Sequence, residues 1–411
     1  MKRAVTAKSI RAAYAEISPQ VLNTPLIGSA TFSDMCGCRT LFKLENLQMT
    51  GSFKERGALN RLLQLSDEER GRGVIAASAG NHAQAVAYHA RRLGISAKIV
   101  MPVHSPLVKI RSTEHWGAEV VLKGNNFDEA FAYSQDIVSD ENRTYIHPFD
   151  DPKVIEGQGT LGIEILEDKL GKDVDAILVP VGGGGLISGI ATYIKETRPE
   201  IKIIGVEEAS CNSMSQAREL HKVVKLSPAP IIADGIAVRK VARRNLNTVL
   251  RYVDDMVTVS TDEIANAIML MLEIEKLVIE GAAAVTLAAL LNGRVDGIGG
   301  KTVLSVLSGG NIDVNLLSKI INRGLAFDGR VAQLDTTIRD EPGALEKLLG
   351  IFREQGANVL EIQHHRFSSS APIGQIRVSV TAETRNQEHI DEIQTMLAQR
   401  GYASRQVGAG P

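Results

Sequence analysis

Residues 50–57, Thr50-Gly51-Ser52-Phe53-Lys54-Glu55-Arg56-Gly57, set one lysine beside an aromatic ring between two glycines. A lysine that forms a Schiff base must lose its proton, which calls for a partly desolvated pocket, and flanking glycines let the backbone approach a planar cofactor closely. Lys54 is therefore the candidate nucleophile, although the octet alone also reads as a solvated turn entering a helix. Ser78-Ala79-Gly80-Asn81-His82 follows the apolar run Gly73–Ala77. Small and polar residues at such a strand end offer N–H groups and the Asn81 amide to a carboxylate or a phenolic oxygen. An ordinary turn capped by Ser78 or Asn81 is the competing reading.

Gly182-Gly183-Gly184-Gly185-Leu186 follows the buried-strand pattern Ile177–Val181 and opens the helical stretch Ile190–Ile194. Consecutive glycines cost backbone entropy, and what they gain is a set of N–H groups that can converge on a phosphate at a helix N-terminus. The loop lacks the downstream acid of a dinucleotide site, and no Gly-Lys-Ser/Thr comes after it, so it suits one compact phosphate. Val303–Leu307 runs into Ser308-Gly309-Gly310-Asn311, again a strand ending in a hydroxyl and glycines, where an open parallel sheet gathers its ligand.

These segments need a scaffold of short apolar strands alternating with helix-period stretches, and that alternation runs from about residue 40 to 320. Gly94 with Ala97–Met101, and Gly117 with Glu119–Val121, each read as a helix stop and then a strand. The chain has 411 residues, 44% hydrophobic content and a formal net charge of −2, which allows two or three domains and argues against nucleic acid or an anionic membrane as partner. Its three cysteines, Cys36, Cys38 and Cys211, are too few for a disulfide framework, so a cytoplasmic setting is expected. The start, Met1–Lys8, is not followed by an apolar stretch of signal length, and no run reaches the ~18 apolar residues of a membrane span.

In their order and separation the four motifs resemble the fold type II enzymes that use pyridoxal 5′-phosphate, most closely the threonine/serine ammonia-lyase (threonine dehydratase) family, with serine racemase as a relative. The resemblance covers about residues 5–325. It implies a two-lobed α/β fold with mainly parallel sheets in a catalytic domain at 1–326, a small lobe at about 48–148 being inserted into the larger one. It also implies that Lys54 is the Schiff-base lysine, that Phe53 packs beside the ring and that Asn81 bonds the phenolic oxygen. Gly182, Gly183, Gly184, Gly185 and Leu186 would hold the phosphate, Ser308 would face the pyridine nitrogen, and Gly235 would lie near the ring. Ser78, Ala79, Asn81 and His82 would take the substrate carboxylate. Glu207 matches a residue that in some relatives helps bind a structural cation, but Glu208–Ser213 holds no clear second carboxylate at the later position, so a metal site is not expected there; a solvated strand end is the other reading.

After Phe327 the pattern changes. Val331–Ile338 alternates like a strand, Arg339–Gly343 turns, and Ala344–Gln355 carries Leu345, Leu348, Leu349 and Phe352 on one helical face up to Gly356. Asn358–Phe367 and Gly374–Thr381 read as strands, Gln387–Arg400 as a helix, and a last strand as short or atypical, which makes a βαββαβ unit. The Asp340-Glu341-Pro342-Gly343 turn with Asn358 resembles an ACT domain, an α+β ferredoxin-like amino-acid-sensing module, at 327–411; the alternative is a packing domain that senses nothing. His364-His365 lie on opposite strand faces and are poorly placed to grip one ion.

The expectation is a homodimeric or homotetrameric lyase that converts L-threonine, and L-serine, to 2-oxobutanoate or pyruvate plus ammonia, with a branched-chain amino acid, isoleucine or valine, as effector. A neutral hydroxyl at Ser308 leaves the pyridine nitrogen largely unprotonated, which favours β-elimination over transamination. A serine or hydroxyaspartate dehydratase and an amino-acid racemase remain as rivals. A racemase needs a second proton carrier, supplied in the serine racemase pattern by a serine where this chain has Ala79.

Overall fold

The computed structural model describes residues 5–365 and 372–407, and the chain divides into two compact units, 1–312 and 313–411. The helix Val314–Phe327, expected in the first domain, falls in the second unit. Strands of the first unit, in chain order, are β1 (Leu26–Ser29), β2 (Arg39–Leu44), β3 (Val74–Ala77), β4 (Ala97–Met101), β5 (Glu119–Leu122), β6 (Thr144–Tyr145), β7 (Ala176–Pro180), β8 (Lys202–Glu208), β9 (Asp255–Val259) and β10 (Thr302–Leu307). They form a larger sheet in the order β1-β2-β10-β7-β8-β9 and a smaller one in the order β5-β4-β3-β6.

Every pairing in both sheets is parallel except β1 with β2. Parallel strands need helical crossovers that cover both faces, which is why β3, β7 and β10 are uninterrupted runs of buried residues. The antiparallel edge strand β1 lies upstream of the expected start of the alternation. At four residues, one of them Gly28, it is too short for a period to be read, and Ser29 at once caps the next helix by accepting from Phe32 N at 3.1 Å.

The helix Lys54–Leu63 carries the candidate lysine as its first residue. It packs against Pro152–Glu167 so closely that a Cβ on Gly157 would come within 2.7 Å of Gly57 Cα. Its third residue, Arg56, is fully buried and bonded on both sides. Nε and Nη2 donate to Glu45 at 2.7 and 2.8 Å, and Nη1 and Nη2 donate to Glu164 at 2.6 and 2.8 Å. Lys43 donates to Glu164 and to Thr24 O at 2.7 and 2.6 Å, and Thr24 Oγ1 donates to Glu45 at 2.6 Å. Burial alone would push the Glu45 carboxyl up, but Arg56 and Lys43 beside it hold it below the usual range. Two cations and two anions thus close a neutral buried cluster.

The second unit contains β11 (Val331–Arg339), β12 (Asn358–His365), β13 (Gln375–Glu383) and β14 (Ser404–Val407), all antiparallel in the order β12-β13-β11-β14. With helices Ala344–Gln355 and Gln387–Gln399 this is the βαββαβ order and the sheet topology of a ferredoxin-like unit, with a last strand of four residues. Leu348, Ile351 and Phe352 from one helix and Ile390, Ile393 and Leu397 from the other pack on Leu334, Ile338, Val378 and Val380. Gly356 ends the first helix at φ +74, as its place after the periodic run requires. Of the expected strand at 358–367, Arg366 and Phe367 lie outside the described residues.

Glu164→Gln removes one charge from the buried cluster and leaves its cations in excess. It is expected to lower unfolding stability by about 3–5 kcal/mol, read as a reduced urea midpoint. An unchanged midpoint would show that the cluster does not anchor the helix.

Candidate active site

The segments singled out from sequence sit at the carboxyl ends of parallel strands. Ser78 follows β3, Gly182 follows β7 and Ser308 follows β10. A cleft in the first unit is lined by Phe53, Lys54, Asn81, Gly182–Leu186, Gly235 and Ser308, together with Phe149, Ile236 and Glu280. Ser78, Ala79 and His82 are not part of its lining. The Ser78 hydroxyl accepts from Gly80 N at 3.2 Å, Ala79 packs against the core of the small lobe, and His82 Nε2 lies 2.9 Å from Ile146 O. Burial, with Lys54 nearby, lowers the His82 pKa to about 3, so the ring is neutral and Nε2–H is the donor to Ile146 O.

Lys54 opens its helix, and Phe53 N donates to Ser308 O at 3.0 Å, which ties the lysine loop to the end of β10. The residue keeps some exposure, but its amine lies deep, donating to Pro148 O at 3.2 Å and standing 5.1 Å from the centre of the Phe53 ring. Burial lowers its pKa to about 8 against a weaker upward pull from Glu280. The positive end of the helix acts in the same direction. At neutral pH about a tenth of the amine is then uncharged, against roughly one part in 2,500 for an ordinary lysine.

The glycine loop is constrained from behind. Gly184 adopts φ +83 and starts the helix Gly185–Thr197, and a Cβ on it would come within 3.0 Å of Asn245 Cβ. Asn245 Nδ2 donates to Gly183 O at 2.7 Å and to Phe149 O at 3.0 Å, and a Cβ on Gly183 would come within 2.3 Å of the Phe149 ring. The Gly183 and Gly184 carbonyls are thus engaged by Asn245 and Ser188 N, and the loop leads into a helix N-terminus, an arrangement that suits a phosphate dianion. A primary amine with a depressed pKa in the same cleft is the group that a pyridoxal carbonyl requires, so the residues present fit pyridoxal 5′-phosphate.

Three participants escaped the sequence reading. Glu280 is buried, and both its oxygens accept from Asn81 Nδ2, at 2.8 and 3.0 Å. Burial, with some repulsion from Asp234, raises its pKa to about 7 despite the Asn81 bond and the Lys109 and Lys54 charges. Phe149 backs the glycine loop, and Asn311 donates to Asn81 Oδ1 at 2.8 Å. The one available signal was Glu280 itself, a lone charge between the apolar Val278-Ile279 and the small residues Gly281–Ala284. Glu207 is no solvated strand end. It is buried, accepts from Met214 N, Ser215 N and Ser215 Oγ at 2.9, 2.8 and 2.6 Å, and its pKa is raised by burial to about 7. Among the described residues no group of three or more His, Cys, Asp or Glu is placed to hold a metal.

The depressed lysine pKa has a direct readout. In protein stripped of cofactor, acylation of Lys54 by an amine-selective reagent, monitored by peptide mass spectrometry, should rise with pH through a midpoint near 8. A midpoint at the ordinary lysine value would mean that the amine is solvated.

Residues 17–309 match the family model of the pyridoxal-phosphate dependent enzymes. The chain is 47% identical over 404 residues to a Thermotoga maritima protein named L-threonine ammonia-lyase, covering 98% of this chain and all of that one. Among solved structures, maize serine racemase superposes with a TM-score of 0.74 at 33% identity, covering 79% of this chain and 98% of that one. The processed threonine deaminase isoform 2 of Solanum lycopersicum does so with a TM-score of 0.73 at 39% identity, covering 77% of this chain and 87% of that one. With the lysine, the glycine loop and the two-sheet scaffold in place, the chain belongs to the pyridoxal-phosphate dependent enzymes.

Proposed function

We propose that this enzyme dehydrates and deaminates L-threonine, and also L-serine, to 2-oxobutanoate or pyruvate and ammonia. The observation that carries the reading is the buried Lys54 amine, with a pKa of about 8, in one cleft with a glycine loop fit for a phosphate. The Thermotoga maritima relative, matched along its whole length, bears the name of this activity. Bound pyridoxal phosphate supplies a ring that withdraws electrons from the substrate α-carbon. The N–H groups of Gly182–Leu186 would hold the phosphate, Phe53 would pack beside the ring, Asn81 would donate to the phenolic oxygen, and Gly235 would leave room for the ring's edge. The neutral Lys54 amine takes the α-proton. The Cβ–O bond breaks, the hydroxyl leaves as water with a proton that balances the one Lys54 took, and the unsaturated amine released takes up water to give keto acid and ammonia. Ser308, a neutral hydroxyl, would leave the pyridine nitrogen of a bound ring largely unprotonated, which would favour elimination over transamination.

Ser78, Ala79, Asn81 and His82 are the residues proposed for the substrate carboxylate, with Asn81 alone among them already lining the cleft. The likeness to a serine racemase does not shift the reading, since Ala79 cannot carry a proton. The free thiols of Cys36, Cys38 and Cys211 suit an enzyme of the cytoplasm. The C-terminal module, residues 327–411, is proposed as an ACT-like sensor of isoleucine or valine in a homodimer or homotetramer. The helix starting at Ala344 behind the αL residue Gly343 supplies N–H groups suited to a carboxylate. Binding there alters catalysis only through different affinities for two states of the enzyme.

Lys54→Ala is expected to fold normally and to lose keto-acid release by more than about a thousandfold, since no other amine among the described residues lines the cleft. Appreciable turnover by the purified variant would exclude Lys54 as the base. With coupling of ~1–3 kcal/mol, isoleucine or valine should move the half-saturating threonine concentration of the full-length enzyme several-fold. Kinetics indifferent to both would remove the regulatory reading and leave the catalytic one intact.

A further inference from the structure

Asn311 stands in the loop after β10, three residues beyond Ser308, and its side chain joins two other segments of the cleft. Its Nδ2 lies 2.7 Å from Thr50 O and 2.8 Å from Asn81 Oδ1. These partners fix every orientation in the chain of amides. Thr50 O is a backbone carbonyl that only accepts, so the Asn311 atom facing it carries hydrogens and is the nitrogen. The Asn81 atom facing that nitrogen must accept, so it is the oxygen. The far side of the Asn81 amide is then the nitrogen, and it faces both Glu280 oxygens, which accept from it. Both hydrogens of Asn311 are used, and Asn81 shows its donor side to Glu280 in the wall of the cleft.

The surroundings hold Asn311 in this place. Gly310 N donates to Gly51 O at 2.9 Å, and a Cβ on Gly51, which adopts φ +73, would come within 2.7 Å of Asn311 Oδ1. The Thr50–Lys54 loop therefore closes directly on the Asn311 amide. Without Asn311 nothing else among the described residues donates to Asn81 Oδ1, and the Asn81 amide is held from the Glu280 side alone.

Resting on the assignment of this cleft to pyridoxal phosphate, we propose that Asn311 is a positioning residue for the reaction: it locks the Asn81 amide with its N–H side on the Glu280 wall of the cleft, where the cofactor's phenolic oxygen would also accept, and couples that lock to the Thr50–Phe53 segment that leads into the Lys54 helix. An N–H given to the phenolic oxygen stabilises its negative charge and weakens its hold on a neighbouring proton. Loss of the lock raises the pH at which the visible absorbance of the bound cofactor changes.

The experiment compares the full-length wild type with Asn311→Ala, Asn81→Ala and the double variant. It measures pyridoxal phosphate affinity by equilibrium dialysis and the pH midpoint of the cofactor's visible absorbance. Asn311→Ala should weaken affinity about tenfold and raise the midpoint, whereas the same change in the Asn81→Ala background should weaken it less than about twofold. Asn311→Asp, which keeps the size and loses the donor, should behave as the alanine variant does and serves in its place if that one does not fold. Equal losses in both backgrounds, or an effect on melting temperature with affinity and midpoint unmoved, would overturn the role of Asn311. A wild type that binds no pyridoxal phosphate would sink the cofactor assignment as well, so the two failures are distinguishable.

Discussion

The cleft depends on a neutral ion cluster that never touches it. Arg56 lies two residues after Lys54 and is held from one side by Glu45 and from the other by Glu164, with Lys43 completing the charge balance. Buried charges are tolerable only when they are paired and fully bonded, so the geometry of this cluster is sharply specified. It fixes the helix Lys54–Leu63 against Pro152–Glu167, and Gly57 and Gly157 let the two backbones meet closely. The first residue of that helix has little freedom left. An amine that must stay dehydrated and reach a defined point is thereby carried by rigid backbone rather than by a loop.

From that fixed point the chemistry arises by proximity. Parallel strands deliver their carboxyl ends to one side of each sheet, and the segments after β3, β7 and β10 carry the Asn81 amide, the glycine loop and Ser308. Burial then moves two titrations in opposite directions, Lys54 down to about 8 and Glu280 up to about 7. Both shifts favour the neutral form, so an amine that is uncharged about a tenth of the time and a half-charged carboxyl share the cleft near neutral pH. A pocket of this kind admits a dianion at the glycine loop against only a partly ionised carboxyl.

What was legible in the sequence was local. Lys54, the four glycines, Asn81 and Ser308 each lie in a short contiguous motif at a strand-to-helix junction, and the alternation of strands and helices places such junctions together. The βαββαβ order of the second unit was readable for the same reason: its helices carry clear periods and its turns carry Gly343 and Gly356. Glu280 and Asn311 were opaque because their roles arise from bonds to Asn81 across 199 and 230 residues of chain. Glu207 reads as a strand end, yet it is buried and accepts from the backbone at the start of the helix Ser213–Glu219, contacts that only the fold creates. Ser78 and His82 belong to the right loop, but their side chains turn to Gly80 N and Ile146 O instead of the cleft.

The central claim is that one lysine, Lys54, carries the cofactor. Its most direct measurement is borohydride reduction of the pyridoxal-phosphate-loaded protein, then peptide mass mapping. A stoichiometric pyridoxyl adduct on Lys54 is the predicted result. An adduct on any other lysine, or none on a protein that demonstrably holds the cofactor, would contradict it.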